Sequence, residues 1–208
     1  MKLTSNSISQ GKPIPAEFAL AEPDPTSHIR FAANRNPDLR WTEVPAGTNS
    51  FAIVCVDRDV PSVGRDVNQE GRTVPADLPR VNFYHWLLVD LTLATTEIEA
   101  GVHSTEVTPR GKPGPIAPGG GRHGLNDYTG WFKGDPDMEG EYFGYDGPCP
   151  PWNDERIHRY TFTVYALDVE QSPIEDKFSG ADLITALDGH ILGQASLMGT
   201  YSLNPAAT

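Results

Sequence analysis

Three polar side chains stand inside or at the ends of apolar segments, where few polar residues are expected. Asp57 ends the first apolar segment, His85 lies inside a second, and His158 stands just before a third. A buried polar group must find a hydrogen-bond partner or water. Singly, each residue has an ordinary structural explanation, as a hydrogen-bonded core histidine or as an aspartate that forms a turn. A functional interpretation therefore depends on all three gathering around one pocket.

An aspartate, two histidines and a tyrosine are suited to holding a phosphate-like anion. A protonated histidine donates two hydrogen bonds and has a reference pKa of about 6.5. A neighbouring carboxylate such as Asp57 favours the imidazolium and can fix which ring nitrogen faces a ligand. The hydroxyl of Tyr160 adds a neutral donor. An anion held in this way should bind more weakly above about pH 8, where the imidazolium has lost its proton.

The elements that position these residues are predicted to be strands. Residues 51–56 are apolar on both parities and rich in β-branched side chains. This pattern predicts a strand that is buried on both faces and ends at Asp57. The other predicted strands are residues 3–8, a segment around Trp41, 82–91, 160–167 and 194–203. If the three strong strands are neighbours, their polar residues can share a pocket.

One late helix is expected from Ala181 to Leu192, with Ser179 as its N-cap and Gly193 as its stop. Several strands and a single helix predict a mainly β fold with two packed antiparallel sheets, a peripheral α-helix and long loops. The long loops are residues 62–80 and 109–151, and connections of this length are often lids or binding loops.

The composition indicates one globular domain over residues 1–208. The formal charge of −12 opposes binding to nucleic acid and to anionic membranes. Two cysteines, Cys55 and Cys149, are too few for a disulfide framework or a zinc site of their own. No apolar leader and no run of about 18 apolar residues is present, so we expect no membrane span and a cytoplasmic location.

Two longer motifs resemble those of the phosphatidylethanolamine-binding protein family, in its bacterial and archaeal branch of Raf kinase inhibitor-like proteins. The first is Asp57-x-Asp59-x-Pro61 followed by Phe83-Tyr84-His85-Trp86. The second is Gly147-Pro148-Cys149-Pro150-Pro151 followed by His158-Arg159-Tyr160. Supporting matches run from residues 36–41 to residues 199–201, so the resemblance covers most of the chain.

The resemblance implies a shallow pocket that binds phosphate head groups or other small anions. By their matching positions, the ligand-binding residues would be Asp57, Pro61, His85, Pro151, His158 and Tyr160. Asp59 would stabilise the loop rather than touch the ligand. No cofactor and no metal is implied, and relatives that inhibit kinases or proteases suggest a protein partner of that kind.

The sequence departs from the family pattern at several positions. Arg58 and Val60 replace a proline and an alanine, the loop at residues 62–80 is long, and residues 152–156 add bulk before His158. Arg58 either adds positive potential at the pocket mouth or is a solvated surface residue. These departures leave the size and specificity of the ligand open.

Two other functions remain open from the residues alone. Asp57, His85 and His158 could form a metal triad or an acid–base pair of a hydrolase, with His103 and His123 expected on the surface of loops. Alternatively, loop aromatics could form a protein interface; these are Tyr128, Trp131, Phe132, Tyr142, Phe143 and Tyr145. The sequence does not decide between a monomer and a homodimer.

Overall fold

The computed structural model describes all 208 residues and is built mainly from antiparallel strands. The strands are β1 (Lys2–Thr4), β2 (Ala21–Asp24), β3 (His28–Phe31), β4 (Leu39–Thr42), β5 (Ser50–Pro61), β6 (Arg80–Leu91), β7 (Glu97–Ile98), β8 (Arg122–His123), β9 (His158–Leu167) and β10 (Ile191–Tyr201). The helices are α1 (Tyr128–Trp131), α2 (Gly180–Leu187) and a 3-10 turn at Ala16–Phe18.

A five-stranded sheet in the order β10-β9-β5-β6-β8 forms the centre of the molecule. A three-stranded sheet, β1-β4-β7, packs on one of its faces, and α2 packs on the other. Strands β2 and β3 form a separate hairpin. The predicted fold of two packed antiparallel sheets with one late peripheral helix is therefore confirmed.

The composition of β5 follows from its central position. Phe51, Ile53 and Cys55 point towards the three-stranded sheet, whereas the alternate residues Ala52 and Val54 point towards α2. Because both faces of this strand are covered, both parities are apolar, as expected for a strand without a solvent face. All five of these residues are at most 2% exposed.

The prediction that the first strong strand ends at Asp57 is wrong, because β5 continues to Pro61. Its pairing with β6 shifts between Asp57 and Val60, so the strand passes through an irregularity rather than a turn. Such bulges bend a strand and re-aim its side chains. The side chain of Asp57 itself accepts a hydrogen bond from the amide of Asp59 at 2.8 Å, which stabilises the bend.

The late helix is shorter than the sequence predicts. Ser179 caps α2 as expected, and its hydroxyl and the Asp182 carboxylate form a reciprocal capping box. The helix ends at Leu187, and Gly189 adopts a φ of +82°, a left-handed conformation that favours glycine and turns the chain. The prediction that Leu192 belongs to the helix is wrong, because that residue lies in β10.

The two long loops differ in structure. The first, residues 62–80, contains no strand or helix up to residue 79, and its last predicted residue, Arg80, begins β6. Residues 109–151 contain β8 and α1 and cover one end of the central sheet. No helix in the chain is both long enough and apolar enough to cross a membrane.

Candidate functional site

Strand order brings the two sequence motifs together. In the central sheet β5 lies between β9 and β6, so Asp57 is paired with Tyr160 on one side and with Phe83 on the other. His85 follows Phe83 by two residues and therefore points to the same face of the sheet. His158 precedes Tyr160 by two residues and also shares that face. Chain segments about 100 residues apart in sequence thus meet at one end of the sheet.

A cavity of about 100 Å³ lies over this end of the sheet. It could hold a small polar group, and it is smaller than the roughly 300–1,000 Å³ of pockets that take drug-sized ligands. The six residues predicted to bind a ligand all line it: Asp57, Pro61, His85, Pro151, His158 and Tyr160.

Cavity-lining residues outside the predicted set come from four parts of the chain: Val60, Gly64, Val67, Asn68, Phe83, Tyr128, Trp131, Cys149 and Pro150. Phe83 could have been found, because it shares its strand face with His85. Residues of the long loops carry no periodic signal that would have placed them here. Trp131 is half exposed at the rim, at 51%.

His158 is held between two carboxylates. Its Nδ1 lies 2.6 Å from Oδ2 of Asp57, and its Nε2 lies 3.1 Å from Oδ2 of Asp154. Burial alone would lower the pKa of His158, but the carboxylates of Asp154 and Asp57 outweigh it and raise the pKa to about 9. At neutral pH the ring is therefore an imidazolium whose two N–H groups both donate to protein carboxylates.

Asp59 and Asp154 connect the site to three arginines. Asp59, which is fully buried, accepts from Arg159 at 2.8 Å and from Arg156 at 3.2 Å. Burial alone would raise the pKa of Asp59, but these hydrogen bonds lower it. Asp154 forms a two-bond pair with the guanidinium of Arg80. Asp59 does not line the cavity, and its contacts join β5 to the start of β9.

His85 occupies the floor of the cavity. It is 3% exposed, and its Nδ1 lies 2.8 Å from the carbonyl oxygen of Asp146. Its ring packs against the rings of Phe83 and Tyr160, with centroid distances of 4.9 and 5.1 Å. Burial lowers the pKa of His85, and this outweighs the opposing influence of Asp57 and Asp146. The ring is therefore neutral at pH 7.

The prediction that His103 and His123 lie on the surface is wrong. Both are buried, and Nδ1 of His103 lies 2.9 Å from Nε2 of His123. Burial lowers the pKa of His103 to about 4 and, with the charge of Lys112, that of His123 to about 3. His123 lies in β8, which pairs with β6, and His103 precedes it in the connection from β7, where its ring packs against Trp86 of β6.

Most of the loop aromatics belong to the core. Tyr128, Tyr142, Phe143 and Tyr145 are buried, whereas Trp131 is exposed. Arg58 is exposed and does not line the cavity; its charge lies near Tyr165, on the sheet face that α2 covers. No group of three or more His, Cys, Asp or Glu side chains is arranged to hold a metal ion.

The long loop at residues 62–80 is joined to residues 152–156, the two insertions noted in the sequence. The buried side chain of Asn153 accepts from the amide of Asn68 and donates to the carbonyls of Asp66, Gln69 and Arg72. The amide of Trp152 donates in turn to Oδ1 of Asn68 at 3.0 Å. The loop is thereby fixed as one wall of the cavity.

Comparison with known proteins gives a consistent result. The family model described as phosphatidylethanolamine-binding protein matches residues 4–202. The protein YbhB of Escherichia coli is 29% identical over 202 residues, which cover 97% of this chain and all of that protein. A protein of Methanothermobacter thermautotrophicus is 30% identical over 177 residues, covering 85% of this chain and 89% of that protein.

Solved structures show the same fold. YbcL of Escherichia coli, whose structure is described as that of a member of the mammalian family of these proteins, has a TM-score of 0.67 at 25% identity, with 97% of each chain covered. A Chlamydia trachomatis protein described as a homologue of phosphatidylethanolamine-binding protein has a TM-score of 0.63 at 27% identity. That match covers 97% of this chain and 96% of the other.

Proposed function

Because this chain belongs to the phosphatidylethanolamine-binding protein family, we propose that its cavity binds a small phosphate-like anion, with His85 and Asp57 at the floor and Pro61 and Pro151 at the rim. Tyr160 and His158 complete the wall. The cavity is the right size for a single phosphate group and too small for a whole lipid.

The local charge is the observation that carries this proposal. The ionic network beside the cavity combines three carboxylates (Asp57, Asp59 and Asp154) with three arginines (Arg80, Arg156 and Arg159) and the imidazolium of His158. The three carboxylates and the four cationic groups together give this network a net charge of about +1. In a chain with a formal charge of −12, this is a local exception that favours an anion.

The contacts of His158 support a role in holding the site. Both ring nitrogens are engaged by carboxylates, so neither is free to bind a metal or to exchange a proton with a substrate. A hydrolase built on Asp57, His85 and His158 would have to transfer protons through Nε2 of His85, because both ring nitrogens of His158 are held by carboxylates. A kinase or protease partner follows from the family resemblance alone.

Titration of the full chain with inorganic phosphate tests the proposal. We expect saturable binding that His85→Gln weakens about 10- to 100-fold, the effect of losing a hydrogen bond to a charged group of roughly 1.5–3 kcal/mol. His190→Gln is the matched control, because His190 is paired with Asp168 at a surface remote from the cavity. Absence of phosphate binding to the unmodified chain, or equal effects of the two substitutions, would refute the proposal.

A further inference from the structure

The tautomer of His85 is fixed by its contact with Asp146. A carbonyl oxygen can only accept a hydrogen bond, so the proton of the neutral ring must be on Nδ1, which faces the Asp146 carbonyl at 2.8 Å. The Nε2 atom is then left with a lone pair and has no hydrogen-bond partner in the protein. Since His85 lines the cavity, its free nitrogen can serve a ligand only as an acceptor.

The carbonyl of Asp146 is itself held by a buried polar cluster. The Asp146 side chain, 1% exposed, accepts from the amides of Asn34 at 2.7 Å and Asn126 at 2.8 Å and pairs with the Lys112 ammonium at 3.0 Å. None of these three partners lines the cavity. The cluster therefore fixes the position of the oxygen that determines the tautomer of His85.

The other polar groups on the cavity floor add acceptors rather than donors. The carboxylate of Asp57 accepts from Asp59 and His158, and its remaining lone pairs are available to a ligand. His158 directs both N–H groups at carboxylates, and the hydroxyl of Tyr128 donates to the Gly147 carbonyl at 2.8 Å. Burial, with the charge of Asp57, raises the pKa of Tyr160 well above its usual value, so its hydroxyl keeps its proton and directs it to the Asp57 carboxylate rather than to a ligand.

We propose that the cavity accepts an oxyanion only in a form that carries a proton, such as hydrogen phosphate, and rejects sulfate. A P–OH group can donate to Nε2 of His85 or to Asp57, whereas sulfate at neutral pH has no proton to donate. An acceptor-only anion would leave Nε2 of His85 without a hydrogen-bond partner and would bring its charge against the remaining lone pairs of Asp57, so it should bind at least 10-fold more weakly. This inference rests on the proposed anion-binding function and limits its ligands to oxyanions that carry a proton.

The charged groups that surround His85 do not favour a simple cation instead. Asp57 and Asp146 raise the proton affinity of His85, and the imidazolium of His158 lowers it. The negative charge of Asp57 is already paired with His158, and that of Asp146 with Lys112. The acceptors on the floor therefore select for a hydrogen-bond donor without offering an unpaired negative charge.

Competition among inorganic phosphate, sulfate and methylammonium for the full chain at pH 7.5 and constant ionic strength tests the inference. We expect phosphate to bind at least 10-fold more tightly than sulfate. Asp57→Asn replaces the carboxylate, which only accepts, by an amide that can also donate to sulfate. This substitution should therefore reduce the difference between the affinities for phosphate and sulfate. A matched substitution, Asp168→Asn, lies far from the cavity beside His190 and should leave the difference unchanged.

The outcomes separate this inference from the function on which it rests. Equal binding of phosphate and sulfate, or tighter binding of methylammonium than of phosphate, overturns the inference and leaves an anion or cation site in place. Binding of neither anion overturns both. If Asp57→Asn does not fold, the nitrogen chemical shifts of His85 decide: a proton on Nδ1 at pH 7.5 supports the inference, and a proton on Nε2 overturns it.

Discussion

His85 and Asp146 hold each other through two reciprocal hydrogen bonds. The amide of Asp146 donates to the carbonyl of His85 at 3.0 Å, and Nδ1 of His85 donates to the carbonyl of Asp146 at 2.8 Å. The first bond fixes the loop against β6, and the second orients the imidazole within that fixed frame. The position of the cavity histidine therefore depends on a loop residue 61 positions away in sequence.

Removal of the Lys112 charge should destabilise the protein strongly. Lys112→Met leaves the buried Asp146 carboxylate without its cationic partner, and such a loss costs about 3–5 kcal/mol. Lys177→Met is the matched control, because Lys177 and its partner Glu141 are both more than half exposed. Its effect should stay below about 1 kcal/mol. Urea unfolding measures the loss of unfolding free energy in both variants. Equal losses would contradict the structural role of the buried pair of Lys112 and Asp146.

The pairing of His158 should make stability depend on alkaline pH. Its folded pKa of about 9 lies above the unfolded value near 6.5. The charged ring of His158 therefore contributes fully to the free energy of unfolding below about pH 6.5. This contribution, about 3 kcal/mol in all, is lost as the pH rises through 9. Asp154→Asn removes one of the two carboxylates and should flatten this slope in denaturant titrations from pH 6 to 10. An unchanged slope would show that the ring is not charged in the folded protein.

The buried pair of His103 and His123 should make the protein sensitive to acid. Both folded pKa values, about 4 and about 3, lie below the unfolded value near 6.5. In this range the unfolded chain binds more protons, so stability falls as pH falls from 6.5 towards 4. Each histidine contributes a slope of at most about 1.4 kcal/mol per pH unit.

His103→Phe tests this acid dependence, because phenylalanine keeps the contact with Trp86 without a titrating group. We expect a shallower loss of unfolding free energy between pH 6.5 and 4 than in the unmodified chain. His28→Phe is the comparison, since His28 lies on an exposed hairpin and stacks on Trp152. A slope that neither substitution changes would contradict burial of neutral histidines as its cause.

The elements whose apolar residues follow a regular pattern could be predicted from the sequence. The uninterrupted apolar run in residues 51–56 predicts a strand covered on both faces, and Ser179 predicts the start of α2. The helix end was misplaced because Ile191 and Leu192 continue the helical spacing of apolar residues. The left-handed turn at Gly189 outweighs that spacing, and the two residues pair as the start of β10 instead.

The sequence predicts which residues form the site better than it predicts their hydrogen bonds. The motif residues around Asp57 and His158 lie together because β9 pairs with β5. The apolar pattern of the two segments is compatible with this pairing but does not determine it. Asp146 carries no sequence signal, since its loop lacks any periodic pattern. For the same reason His103 and His123 were placed on the surface. Loop composition does not reveal that the segment from His103 to His123 folds back over β6.

The wall formed by residues 62–80 should depend on one buried amide. Asn153 is 6% exposed, and its side chain bonds to the main chain of Asn68, Asp66, Gln69 and Arg72. Asn153→Ala leaves these groups without partners, so we expect a loss of about 1–3 kcal/mol. The part of the loop around residues 66–72 should also open locally, because its other side-chain contacts, from Asn68 to the Trp152 amide and from Glu70 to His28, are exposed.

Limited proteolysis and hydrogen exchange distinguish local opening from global unfolding. In Asn153→Ala, amides in residues 64–72 should exchange faster and the loop should be cut first, while amides in β5 and β9 keep their protection. Asn49→Ala is the control, because Asn49 makes a single exposed side-chain bond to the carbonyl of Asp168. If β5 and the loop lose protection together, the loop is part of the cooperative core, and ligand entry cannot depend on its separate motion.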